Sequence, residues 1–267
     1  MDAEISVFFL SQLASAAPPP AVIDVRRAPA FERDPRVIPG AIRRLPDLEA
    51  WQTILEPWRP IVVYCAHGGE VSRDIAAALG HRGFDARYLA GGIEAWRREG
   101  QALEPFSPPT RWVTRERPKI DRIACPWLIR RFIDPSAEFF YVPASEVLRF
   151  AATNAATPYD VPDVDYSHDG SRCSFDAFIQ RHQLRDVALD MLAKIVRGAD
   201  TAVLDLAPQA PGLLAISLGL SQMFTDDHAM LRYGMLVYDA MYAWCRQAAQ
   251  ETHGWNPAVL RKAAAAA

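Results

Sequence analysis

Paired cysteines are missing from this chain of 267 residues. Its four cysteines, Cys65, Cys125, Cys173 and Cys245, lie far apart and include no C-x-x-C. That excludes a disulfide framework and a zinc ribbon, and free thiols suit a reducing compartment. A basic excess is missing too, since the formal net charge is −3. A nucleic-acid binder would carry an electrostatic footprint, so nucleic acid is not an expected partner. Long apolar runs are also lacking. The longest uncharged stretch, 206–225, is broken by Pro208, Gln209, Pro211, Ser217, Ser221 and Gln222, a poor composition for a membrane span. The apolar start at 5–10 follows Asp2 and Glu4 rather than basic residues. It therefore reads as an amphipathic first helix and not as a signal peptide. No membrane partner and a cytoplasmic location are the expectations. No internal repeat is visible. What remains is an ordinary globular composition, 50% hydrophobic and 23% charged, enough for one large domain or two smaller ones.

Local patterns favour two. Ala21 to Val25 follows three prolines, which cannot continue a helix, and reads as a strand. Ile61-Val62-Val63-Tyr64 is a continuous apolar run behind Pro60 and suits a strand buried on both faces. Ser72 is placed to cap a helix running to Gly83. Arg87-Tyr88-Leu89 is a third strand, and 93–99 a further helix. Alternating strands and helices imply a parallel α/β sheet. The prolines at 105, 108 and 109 predict a stiff linker. The resulting division is an α/β domain over 1–105, a Pro-rich linker over 106–111, a second domain over 112–250 and a tail over 251–267. The tail reads as frayed, its terminal alanines packing against nothing. The second domain reads as mostly α-helical. Pro126 sits at a plausible first helical position of a helix over 125–133. In the helix over 184–196, Leu184, Val187, Ala188, Met191, Leu192 and Ile195 share one face. Segments 213–220 and 230–245 are similar, and 155–174, rich in Pro, Asp and Gly, reads as a long loop.

Cys65 is the first candidate for chemistry. It lies between a strand end and a helix start, where unpaired backbone N–H groups and the helix dipole stabilise a thiolate or a bound anion. Gly68 and Gly69 let the backbone bend so that N–H groups turn inward. A buried strand-end cysteine without chemistry is the plain alternative.

Three segments resemble the rhodanese, or sulfurtransferase, family, in the family's order. They are Val22-Ile23-Asp24-Val25-Arg26, Val37-Ile38-Pro39-Gly40-Ala41-Ile42, and the stretch from Tyr64-Cys65 to Leu89-Ala90-Gly91-Gly92-Ile93-Glu94-Ala95-Trp96. The resemblance implies a rhodanese-like parallel sheet and sulfur transfer through a Cys65 persulfide. It makes Ala66, His67, Gly68, Gly69, Glu70, Val71 and Ser72 the substrate- or anion-binding loop, with Asp24 and Arg26 in support. A small thiol or sulfur donor such as thiosulfate or a glutathione-type thiol is the implied partner. The loop reads one residue longer than in most sulfurtransferases, a length similar to that of rhodanese-fold phosphatases and arsenate reductases. Where those carry an arginine, this chain has Val71, and the nearest arginine is Arg73. A wider cradle would admit a larger tetrahedral oxyanion.

Segments 115–134, 167–175, 195–200, 212–220 and 226–228 resemble the chromate-resistance domain family, whose name implies a process more than a reaction. The residues add two hints. Arg115, Arg117, Lys119, Arg122, Arg130 and Arg131 form a basic cluster. In it Arg122, Arg130 and Arg131 are candidates for holding an oxyanion such as chromate; a solvated or salt-bridged face is the alternative. His168, Cys173, Asp227 and His228 are metal-capable and would suit zinc or iron. Asp227 and His228 are helical neighbours, so at most one of them should face a shared site. A loop histidine and a buried cysteine are the plain alternative. Trp112 and Trp127 read as core or interface aromatics. The leading expectation is sulfur transfer coupled to chromate resistance or detoxification. Its rivals are a chromate-responsive sensor that binds an oxyanion without turnover, and a scaffold with a vestigial loop.

Overall fold

The computed structural model describes residues 3–13 and 18–249, so the expected tail at 251–267 lies outside the described residues. The chain forms two compact units that divide between Pro108 and Pro109.

The first unit contains β1 (Glu4–Ile5), α1 (Val7–Leu13), β2 (Ala21–Asp24), α2 (Ala28–Arg33), β3 (Arg36–Val37), β4 (Ile42–Arg43), β5 (Ile61–Tyr64), α3 (Glu70–His81), β6 (Ala86–Leu89), α4 (Gly92–Arg98) and β7 (Glu104–Pro105). Five strands form a sheet in the order β1-β6-β5-β2-β4, every neighbouring pair parallel. β5 shows why its sequence is continuously apolar. The pleat sends Val62 and Tyr64 into a core with Leu10, Leu89, Ile93 and Trp96, and Ile61, Val63 and Cys65 into another with Trp51, Ile75 and Leu79. In parallel register Asp24 pairs with Tyr64. The ends of β2 and β5 therefore reach the same edge, the edge at which open α/β sheets bind ligands. In α1, Val7 and Leu10 are buried while Phe8 and Phe9 face solvent. Pro105, the first of the three prolines, lies in a strand outside the expected linker. Residues 104–105 form β7, antiparallel to β3, and the Glu104 carboxylate accepts the Gly40 N–H at 2.9 Å.

The second unit contains β8 (Arg111–Arg115), α5 (Asp121–Phe132), β9 (Glu138–Val142), α6 (Val147–Asn154), β10 (Thr157–Pro158), α7 (Ser174–Arg181), α8 (Val187–Asp200), α9 (Ala210–Met223) and α10 (Asp227–Ala243). It is mostly helical, with a three-stranded parallel sheet in the order β10-β8-β9. Val113 packs with Val147 and Ala151 of α6, while its neighbour Trp112 lies 5.2 Å from the Phe178 ring of α7. Helices thus cover both faces.

Three expectations are corrected here. α5 starts at Asp121, so Pro126 lies inside it. Proline lacks the N–H that would bond the Arg122 carbonyl, and the Tyr159 hydroxyl donates to that carbonyl instead, at 3.3 Å. Val187 is 81% exposed, because α8 begins there, capped by the Asp186 carboxylate. Its buried face is formed by Ala188, Leu189, Leu192, Ala193, Ile195, Val196 and Ala199 instead. The expected loop at 155–174 contains the short strand β10.

Candidate functional sites

Cys65 follows β5 directly and is 8% exposed. Its Sγ lies 3.2 Å from Ser72 Oγ. Burial opposes charge on the sulfur. The Ser72 hydroxyl and the N–H groups of His67, Gly69 and Ser72 outweigh it, so the thiol ionises below its ordinary range. The helix-capping role expected of Ser72 is not what the structure shows. Gly69 is the N-cap of α3 and Ser72 stands within the first turn, where its fully buried hydroxyl reaches the Gly69 carbonyl and the sulfur. Glu70 opens α3 and is exposed, as is His67; Ala66 and Val71 are half-buried.

The G-G-I-E segment holds the loop from behind. Ile93 and Glu94 donate their N–H groups to the Cys65 and Ala66 carbonyls at 3.0 and 3.1 Å. Gly92, at φ +59, leaves no room for a side chain: a Cβ would stand 2.4 Å from the Cys65 carbonyl oxygen and 2.6 Å from Gly68 N. Gly68, at φ +66, is crowded in return by Gly91 N and the Leu89 carbonyl. Two of the sequence motifs are therefore one packed object. Arg73 donates to the Gly68 carbonyl at 3.1 Å and lies over the Tyr88 ring.

Asp24 and Arg26 form a buried ion pair. The Arg26 guanidinium also donates to the Asp34 and Arg36 carbonyls, and Tyr64 OH accepts the Ile38 N–H. These contacts tie the strand ends to the turn holding the I-P-G-A motif. The pair supports the edge of the sheet without touching the sulfur.

In the second unit the three arginines proposed for an oxyanion have separate partners. Arg122 Nε lies 3.2 Å from Asp160 Oδ2. Arg130 donates to the Ala137 carbonyl and covers the Phe139 ring. Arg131, 3% exposed, binds both oxygens of Asp239, which also accepts the indole N–H of Trp127. The metal-capable four are divided as well. Asp227 opens α10 and accepts the Arg117 N–H; His228 packs its ring against Tyr141.

His168 and Cys173 instead meet acids that the sequence did not single out. His168 Nε2 is 3.3 Å from Asp121 Oδ2, 3.4 Å from Asp160 Oδ1 and 3.1 Å from Asp200 Oδ2. Cys173 Sγ lies close to Asp121 and Asp200. Asp160 also binds Arg115 and Ser174. Burial and the neighbouring Asp121 raise Asp200 to about 8 and push Asp160 upward, while contact with Asp121 raises His168 to about 9. Burial holds the Cys173 thiol neutral.

A family model described as "ChrB, C-terminal domain" matches residues 112–245, and one for the rhodanese-like domain matches 10–99. Protein ChrB of Cupriavidus metallidurans is 33% identical over 132 residues, 49% of this chain and 39% of that protein. The chain thus matches about two fifths of that curated relative's length. Among solved structures, a rhodanese-related protein from Thermoplasma volcanium is 28% identical, covering 38% of this chain and 96% of that one, with a TM-score of 0.34. A full-length protein from Lactobacillus plantarum is 31% identical, covering 39% and 88%, with a TM-score of 0.36. No helix among the described residues is long and apolar enough to cross a membrane. With half of its length matched, the chain belongs to the family of the ChrB C-terminal domain, which it carries behind a rhodanese-like domain.

Proposed function

We propose that the first unit is a sulfurtransferase working through a Cys65 persulfide, and that the chain serves chromate resistance or detoxification in the cytoplasm. The reading rests on one observation: Cys65 Sγ lies among the N–H groups of His67, Gly69 and Ser72 and the Ser72 hydroxyl. The thiolate attacks the outer sulfur of thiosulfate. The new S–S bond forms as the old one breaks, and sulfite leaves with the bonding electron pair. A second thiolate, such as that of a glutathione-type thiol, then takes the outer sulfur, and Cys65 leaves as thiolate. The same N–H groups stabilise charge on the sulfur and on an approaching anion. The chromate link comes from resemblance of the second unit to the chromate-resistance family. A chromate-responsive sensor without turnover is the alternative. The internal partners of Arg122, Arg130 and Arg131 weaken that reading.

Intact mass after incubation with thiosulfate tests the proposal. The native chain should gain one sulfur, released by a thiol. Cys65→Ser should gain none while keeping its circular dichroism, because a hydroxyl is a far weaker nucleophile at neutral pH. Equal transfer by the serine variant would defeat the assignment.

A further inference from the structure

We infer that the second unit binds one divalent transition-metal ion of the zinc class, held by Asp121, Asp160 and His168, whose ligand atoms all lie within 4.8 Å of one another, with Asp200 completing the set. Two helices and a loop bring these side chains together. Asp121 opens α5, Asp200 closes α8, and Asp160 and His168 lie between β10 and α7.

The first argument is spacing. Ligand atoms at about 2.0–2.1 Å from a tetrahedral zinc ion stand roughly 3.3 Å from one another. The three carboxylate oxygens lie 3.1, 3.3 and 3.4 Å from His168 Nε2. One imidazole N–H points along one line and cannot serve three carboxylates, whereas an ion between them attracts all four atoms at once.

The second argument is an unmet polar atom. Asp121 Oδ2 is buried, on a side chain 3% exposed, and no donor meets it in hydrogen-bond geometry; its one near cation, His168 Nε2 at 3.3 Å, is shared with two further carboxylates. An oxygen left so inside a protein is costly, and a cation offsets that cost.

The outer groups fit too. Arg115 and Arg122 bind the far oxygen of Asp160, and Ser174 donates to its near one, orienting a ligand as outer partners do in known metal sites. Cys173 donates weakly to Asp176 and backs the cluster. A groove of about 570 Å³, lined by Ser167, His168, Arg172 and Cys173 among others, reaches His168 from solvent and gives an entry path. One nitrogen and several carboxylate oxygens suit zinc, ferrous or manganous ions.

The test uses the full chain with Cys65→Ser, so that the reactive thiol contributes nothing, purified without a metal-affinity tag and stripped with a chelator. Zinc and cobalt(II) are titrated by calorimetry, with the visible absorption of cobalt as a second readout. One equivalent should bind and raise the melting temperature. His168→Gln changes a residue at the rim, 41% exposed, and should leave the fold intact by circular dichroism. This variant and Asp200→Asn should lose affinity by at least about a hundredfold, the upper end of what losing even an outer-shell partner costs. His228→Ala should bind as before. Less than about a tenth of an equivalent bound, against the near-full occupancy of a real site, would overturn the inference. So would unchanged affinity in both the His168 and Asp200 variants.

Discussion

Ser72 has one hydroxyl proton and two acceptors, the sulfur of Cys65 and the Gly69 carbonyl, each at 3.2 Å. When the sulfur is charged the proton turns toward it. Ser72→Ala removes that donor and leaves the backbone donors in place. A hydrogen bond to a charged group is worth about 1.5–3 kcal/mol, or roughly one to two pH units. The sign follows from the thiolate being the reactive form: alkylation rises with pH and levels off above the thiol pKa. In the native chain the plateau should begin below the ordinary value of about 8.5, and in Ser72→Ala at higher pH. Iodoacetamide labelling of Cys65 across pH checks this, and coincident profiles would remove Ser72 from the account. Cys65 itself was legible, because a thiol between an apolar strand and two glycines is a local pattern. The partnership of Ser72 was not, since it depends on where α3 starts. Asp121, Asp160 and Asp200 were harder still. No spacing joins a helix start, a loop and a helix end, and only packing brings them to His168.

At the scale of elements, the loop after β5 and the turn before α4 stand or fall together. Gly92→Ala places a Cβ against the Cys65 carbonyl, whereas Gly83, at φ +88, has open space around it. Both positions are strained for alanine, at about 1–3 kcal/mol for a non-glycine residue held in such a conformation. Only the first also collides with backbone. Gly92→Ala should therefore lower the urea midpoint more than Gly83→Ala and should abolish persulfide formation, while Gly83→Ala keeps it. Equal effects of the two would show that the packing of Gly92 is unimportant. In the second unit, α5 and α10 are joined by the buried pair of Arg131 and Asp239, with Trp127 attached. Asp239→Ala removes the carboxylate from a buried guanidinium and should cost about 3–5 kcal/mol, read by chemical denaturation; a loss below about 1 kcal/mol, the range of exposed pairs, would contradict it. Elements of the first unit were read well because apolar runs and glycine stops mark them. β8 and β9 went unread. β8 is short, ends in arginine on both sides and follows prolines, and nothing local says that Trp112 and Val113 face two different helix layers.

For the whole molecule, the division into two units directs a protease. Residues 106–110 belong to no regular element and are largely exposed, whereas 151–154 lie in α6. Brief subtilisin treatment should cut first within 106–110 and yield two resistant fragments. First cuts elsewhere among the described residues would argue against the division. The order of motifs made the first unit's architecture legible; the second unit's sheet, built from strands with little local signal, was visible only in three dimensions.

The pairing of β1 with β6 has a consequence for how the protein is made. Glu4 lies opposite Tyr88, and Arg36 opposite Pro105, so the earliest strands wait for the latest ones. On a ribosome, Cys65 emerges well before Gly92 and the N–H groups of Ile93 and Glu94 that hold its loop. Sheets built on such distant partners close late and slowly. Until residue 94 has cleared the exit tunnel, the Cys65 and Ala66 carbonyls lack the donors that hold the loop. The loop around Cys65 is thus among the last features of the first unit to be closed.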